Sequence, residues 1–170
     1  MIKKIDCDRH FWVKFFSTGF FISFLIPFIP GVYGAILGTG FALLINPLPI
    51  ILKIIISIVL AVVSIPLCTR AQKIFNKGKD PQNVVIDEVV GVQFVAIWFN
   101  LFQKLTIFSF NIPLWLLLLL IYGFFDALEP FPIKRIEKLF GGWGIVLDDI
   151  MAGLYTIITL LIILHFPLSF

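Results

Sequence analysis

Apolar runs follow one another along almost the whole chain, and short clusters of Lys and Arg break them up. The runs cover residues 15–29, 31–45, 50–68, 80–102, 112–128 and 145–168. That pattern constrains the fold more than any single motif. A chain that is 60% hydrophobic and only 14% charged has far more apolar surface than a water-soluble core needs, but a bilayer can absorb it. The expected fold is therefore all-α: a polytopic integral membrane helical bundle forming one membrane-embedded domain over residues 1–170.

The cations set an expected topology. Lys3, Lys4, Arg9 and Lys14 form one group, Arg70, Lys73, Lys77 and Lys79 a second, and Lys134, Arg135 and Lys138 a third. Placing all three on the cytoplasmic side lets only two of the first three apolar runs cross. The first run carries Pro27 and ends at Pro30, which suits a re-entrant or interfacial segment. About five spans remain, with the C-terminus outside. Lys53, near the outer end of its helix, is expected to snorkel. The net charge of +3 is spread in small clusters, so topology and anionic lipid heads explain it better than nucleic acid does. Asp6, Asp8 and Arg9 interrupt the N-terminal region, and a removable signal peptide is not expected. Cys7 and Cys68 have no metal or redox spacing.

On this topology the acidic residues gather at the cytoplasmic face. Asp80, Asp87 and Glu88 come from one helix, Asp126 and Glu129 from the end of the next, and Asp148 and Asp149 from the last. Asp87 precedes Gly91 by four residues, and Asp149 precedes Gly153 by four. A glycine one turn beyond a carboxylate lets a neighbouring helix approach closely, so these acids should lie at helix seams. Each also has a structural explanation to weigh. Asp80 before Pro81 fits an N-cap. Asp148 and Asp149 fall in the expected first turn of their helix, where the macrodipole favours anions, whereas Asp87 and Glu88 fall two turns in, beyond its reach. Asp126 ends its helix, where the dipole opposes an anion. Charges inside apolar helices are costly and mark function. Converging carboxylates need a cation or protons between them, and an all-oxygen set favours a hard cation such as Mg²⁺. His10 and His165 lie at opposite ends of the expected topology, and Asp6-Cys7-Asp8 has no Rossmann-like domain behind it.

Three blocks resemble the phosphatidylglycerophosphatase A family of bacterial inner membranes. They are Asp80-Pro81-Gln82-Asn83-Val84-Val85-Ile86-Asp87-Glu88-Val89-Val90-Gly91, then Phe125-Asp126-Ala127-Leu128-Glu129-Pro130-Phe131-Pro132-Ile133, then Gly141-Gly142-Trp143-Gly144-Ile145-Val146-Leu147-Asp148-Asp149-Ile150-Met151-Ala152-Gly153. A weaker fourth is Pro30-Gly31-Val32-Tyr33-Gly34. The resemblance implies a Mg²⁺-dependent, multi-pass enzyme of the cytoplasmic membrane. Its site would face the cytoplasm and remove the terminal phosphate of phosphatidylglycerophosphate, a membrane phospholipid. It also implies that Asp87, Glu88, Asp126 and one or both of Asp148 and Asp149 hold the metal and the attacking water, and it matches Asp80 to an acidic position of the family. The family's second block usually reads Arg-x-x-Asp-x-x-Lys-Pro-x-Pro-Ile. Here Gly123 stands at the Arg and Glu129 at the Lys, so two natural phosphate partners are absent. Lys134 and Arg135 are the nearest basic residues that could replace them. Two other readings remain: a diverged relative that acts on another lipid phosphate or has lost activity, and a small cation carrier, since intramembrane carboxylates also line ion paths.

Overall fold

A computed structural model describes residues 10–25, 30–75, 83–107 and 110–165. Asp80, Lys3, Lys4, Lys77, Lys79 and the Asp6-Cys7-Asp8 stretch lie outside these residues. Eight helices and one hairpin are seen among the described residues, in the order α1 (Phe11–Ser17), α2 (Ile22–Leu25), α3 (Pro30–Ile45), α4 (Ile50–Phe75), α5 (Ile86–Ala96), β1 (Lys104–Ile107), β2 (Phe110–Pro113), α6 (Leu114–Leu128), α7 (Ile133–Ile136) and α8 (Gly142–His165).

Two helices are long and apolar enough to cross a bilayer. α4 has 26 residues and α8 has 24, and the most apolar 18-residue stretch of each has a mean hydropathy of 2.8 and 2.0 respectively. At 1.5 Å per residue each exceeds the ~30 Å of a hydrocarbon core. α3 and α6 are shorter apolar helices of 16 and 15 residues. The run expected over 80–102 holds a helix of only 11 residues. Only 17% of the apolar window of α4 is buried, against 44% for α8. Ile51, Ile55, Ile58, Val62 and Val63 all stand exposed along α4, a continuous greasy face of the kind suited to lipid.

α5 is the hub. It packs between α3 and α8, while α6 closes on α8 and α3, and α4 flanks α8 and α5. Val92, Val95, Leu114, Leu118, Ala152 and Leu160 are core residues where these helices meet. α5 and α8 come close at their glycines, as the spacing predicts. A methyl group on Gly91 would lie 2.7 Å from the Asp149 carbonyl oxygen, and one on Gly153 would lie 2.9 Å from the Gly91 carbonyl oxygen.

The all-helical expectation gives way at one place. Strands β1 and β2 pair antiparallel, Leu105 with Ile112 and Thr106 with Asn111. Short alternation of apolar and polar residues with β-branched Thr106, Ile107 and Ile112 favours strand over helix there. Two helix starts also differ from expectation, and tertiary contacts explain both. The Val85 N–H donates to the Ser17 carbonyl at 2.7 Å, which ties Val85 to a distant segment at φ −138°, ψ 1°, outside helical geometry, and α5 starts only at Ile86. The Gly142 N–H donates to Thr69 Oγ1 of α4 at 2.8 Å, and α8 begins there, three residues before the expected start.

Lys53 is covered far more than its neighbours on α4. Its neighbours Ile51 and Leu52 are 67% and 45% exposed, while Lys53 is 8% exposed. The side chain turns inward because α4 presents that side to residues 97–102 at the end of α5.

Candidate active site

Every Asp and Glu among the described residues lines a single cavity of about 210 Å³: Asp87, Glu88, Asp126, Glu129, Glu137, Asp148 and Asp149, with Ile133 and Ala152 between them. α5, α6, α7 and α8, or the caps following them, bring these residues together from a span of 63 positions in the chain. Among the described residues no Lys or Arg belongs to the lining.

The deepest part is built from α5 and α8. Asp87, Glu88 and Asp149 are 3%, 8% and 7% exposed. Each offers a carboxylate oxygen, and these oxygens lie within 4.8 Å of one another. Asp87 and Glu88 occupy the first turn of α5, and the Glu88 N–H donates to Asp87 Oδ1 at 3.2 Å. Asp148 and Asp149 sit nearly two turns into α8, beyond its first turn. There the Asp149 N–H donates to Asp148 Oδ1 at 2.9 Å. The macrodipole therefore supports the α5 pair and not the α8 pair, the reverse of the sequence expectation, because both helices start elsewhere than the apolar runs suggest. Asp126 lies in the last turn of α6, as expected.

Two contributors are not legible in the motif spacing. Tyr122 is fully buried in α6, and its hydroxyl donates a short hydrogen bond to Asp149 Oδ1. The available signal is one polar-tipped residue in an apolar run, one turn before Asp126. Glu137 reaches the cavity from just beyond α7. The Pro30-Gly31-Val32-Tyr33-Gly34 block also acquires a physical role. A methyl group on Gly34 would lie 2.9 Å from Glu88 Cδ and Oε2, and one on Gly31 would lie 3.2 Å from Glu88 Oε1. Only glycines leave the room that Glu88 occupies.

Lys134 and Arg135 do not line the cavity. Lys134 Nζ stands 3.8 Å from Glu129 Oε2 at the rim, an exposed pair worth little by itself. The Arg135 guanidinium lies over the Phe131 ring, 4.9 Å from its centre. Glu129 caps α6 in the left-handed conformation, with φ +45°. Gly123 faces open space.

Carboxylates packed this tightly repel one another unless positive charge joins them. The donor set is all oxygen, and Glu88 Oε2 is buried without a hydrogen-bond partner. A buried anionic oxygen left in that state is costly, and a hard divalent cation would satisfy it.

Comparison with known proteins agrees with this architecture. The chain is 32% identical over 83 residues to a Bacteroides thetaiotaomicron protein described as a candidate phosphatidylinositol-3-phosphatase, a match covering 48% of this chain and 47% of that one. It is 30% identical over 159 residues to the phosphatidylglycerophosphatase A of Haemophilus influenzae, covering 92% of this chain and 91% of that one. No solved structure matches. The family profile of phosphatidylglycerophosphatase A matches residues 15–164, and the chain belongs to that family.

Proposed function

We propose that this protein is a Mg²⁺-dependent membrane phosphatase that hydrolyses the terminal phosphomonoester of phosphatidylglycerophosphate to give phosphatidylglycerol. The observation that carries the reading is the buried Asp87–Glu88–Asp149 group, with oxygens within 4.8 Å of one another and one carboxylate oxygen lacking any partner. Family membership supports the chemistry. The exposed apolar face of α4 supports residence in a membrane; the five-span arrangement in a bacterial cytoplasmic membrane rests on the apolar runs, the Lys and Arg clusters and the family. One domain then carries both the lipid-facing surface and the site, which opens toward the cytoplasm on the positive-inside argument.

In this reading Asp87, Glu88, Asp126 and Asp149 hold the Mg²⁺. When bound, the cation supplies Lewis acidity toward a phosphoryl oxygen and acidifies water at the site. The protein's own groups do the rest. The Tyr122 hydroxyl fixes Asp149. A carboxylate not engaged by the metal, Asp148 beside Asp149 at the cavity wall or Glu88 where it is not a ligand, orients the attacking water and accepts its proton. The water oxygen bonds to phosphorus as the P–O ester bond breaks, and the departing glycerol oxygen takes a proton. Lys134 at the rim, with Arg135 next to it, draws the roughly doubly charged terminal phosphate toward the opening. Asp80 is assigned to the same substrate end by its place in the family pattern.

A second reading keeps the chemistry and changes the lipid. Gly123 and Glu129 remove two phosphate partners, and the Bacteroides relative is named for a different lipid phosphomonoester. Phosphate release from a panel of lipid phosphomonoesters in mixed micelles, with Mg²⁺ or with excess chelator, tests both. The first reading expects phosphatidylglycerophosphate to be the preferred substrate and chelator to abolish turnover. Another preferred lipid selects the second. Full turnover in chelator sinks the metal site. A cation carrier would instead pass ions through proteoliposomes without releasing phosphate. The gathering of the acids at one end of α3 and α5 argues against a path through the bundle.

A further inference from the structure

At the opposite end of the bundle, about 410 Å³ of open space lies between the start of α4 and the residues that follow α5. Lys53 lines it, nine-tenths buried. Asn46, Asn100, Trp98, Ile50 and Phe102 complete the part that matters. Gly34 of α3 packs on Glu88 and Asn46 follows the last turn of α3, so the two cavities are separated by roughly 18 Å along that helix at 1.5 Å per residue.

Lys53 has no counter-charge here. Every described Asp and Glu lines the acidic cavity at the other end, and no ion pair or hydrogen bond among the described residues engages the Lys53 ammonium. The stem of Lys53 is covered while its ammonium meets the open space, and a cation at the end of an apolar helix favours an anionic partner. Both amides beside it are held in place. Asn46 Nδ2 donates to Asn100 Oδ1 at 3.1 Å, Asn46 Oδ1 accepts from the Leu101 N–H at 3.1 Å, and Asn100 Oδ1 also accepts from the Phe102 N–H at 3.2 Å. The Asn100 amide nitrogen is left as a second donor. Ile50, Trp98 and Phe102 are 50%, 57% and 57% exposed around the opening, and tryptophan favours the depth of lipid headgroups.

We propose that Lys53 and Asn100 form a binding site for the headgroup phosphate of an anionic phospholipid, with its acyl chains lying on the exposed face of α4. The ammonium and the amide donate to the phosphodiester oxygens, and Trp98 borders the headgroup. This site does not rest on the hydrolytic reading, and any phosphatidylglycerol held at the acidic cavity as reaction product would be unaffected by a change at Lys53, at the other end of the bundle.

The test is native mass spectrometry of the full-length protein released from vesicles of phosphatidylcholine mixed with phosphatidylglycerol. Wild type is expected to retain phosphatidylglycerol in preference to phosphatidylcholine. Lys53→Met should lower that preference about tenfold, as expected for one charge-assisted hydrogen bond. Lys53→Arg should keep it, which separates charge from misfolding. Lys138→Met, an equal charge change at the other end, should also keep it. Unchanged preference in Lys53→Met, or equal loss in Lys138→Met, overturns the site. Incubation with inorganic phosphate is the remaining arm: displacement of the retained lipid by phosphate at low concentration would assign the site to free phosphate and overturn the lipid assignment.

Discussion

The two acidic pairs, Asp87–Glu88 and Asp148–Asp149, look alike in sequence but are held differently. The first pair opens α5, where unsatisfied backbone N–H groups and the helix dipole stabilise negative charge by ~0.3–1 kcal/mol or somewhat more when partly buried. The second lies in the interior of α8, where the helix end gives no such help. Asp149 relies instead on a side chain from a third helix, the Tyr122 hydroxyl of α6. Gly91 and Gly153 then bring the two helices close enough for Asp87, Glu88 and Asp149 to act as one group. A carboxylate can thus be tolerated in an apolar bundle by its position in its own helix or by a neighbour's donor, and this site uses both.

The largest expected effect tests whether the two pairs form one site. Asp87→Asn and Asp149→Asn should each reduce phosphate release by well over the ~100-fold typical of losing an outer-shell partner, while the protein still inserts. Near-normal turnover in Asp149→Asn would break the comparison and leave the α8 pair as scaffold. Next comes the donor that only the α8 pair has. Tyr122→Phe should raise the Mg²⁺ concentration needed for half-maximal rate by ~10–100-fold, with a smaller loss at saturating Mg²⁺. An unchanged Mg²⁺ dependence would show that Asp149 needs no such support. The helix approach can be tested by stability alone. Gly91→Leu should cost about 1–3 kcal/mol by overpacking against Asp149 and Tyr122, whereas Gly123→Leu, which faces open space, should leave thermal unfolding in detergent nearly unchanged. Similar melting of the two variants would mean the seam can open. The smallest effect concerns the rim. Lys134→Ala with Arg135→Ala should raise KM for the lipid phosphate severalfold, as expected for exposed charges, and more than Lys3→Ala with Lys4→Ala does. Equal small changes would leave the pair as topology markers only.

Much of this site was legible in the sequence, because the relevant signals are periodic. Asp87 with Gly91 and Asp149 with Gly153 repeat at one helical turn, and that spacing indicated that each acid lies at a helix seam; that the seam joins α5 to α8 comes from the structure. Helix starts were not legible, because Val85–Ser17 and Gly142–Thr69 hydrogen bonds between distant segments decide them. Those two bonds reversed which acidic pair lies in a first turn. Tyr122 was hidden for the same reason: its partner is 27 residues away, and its own surroundings are uniformly apolar. The inward turn of Lys53 depends on what packs beside α4, which hydropathy does not record.

Among the described residues the acidic cavity has no Lys or Arg in its lining, and this has a thermodynamic consequence for how it fills. A phosphate approaching the bare lining meets only like charge, so its affinity without metal should be very low. A divalent ion reverses that sign, and each ligand then raises the affinity for the other by the same factor, since linkage between binding events is reciprocal. Metal titrations at several fixed concentrations of substrate lipid should therefore give apparent Mg²⁺ Kd values that fall as lipid rises. The cavity would behave as a coincidence detector, occupied firmly only when the metal and the phosphate are both present.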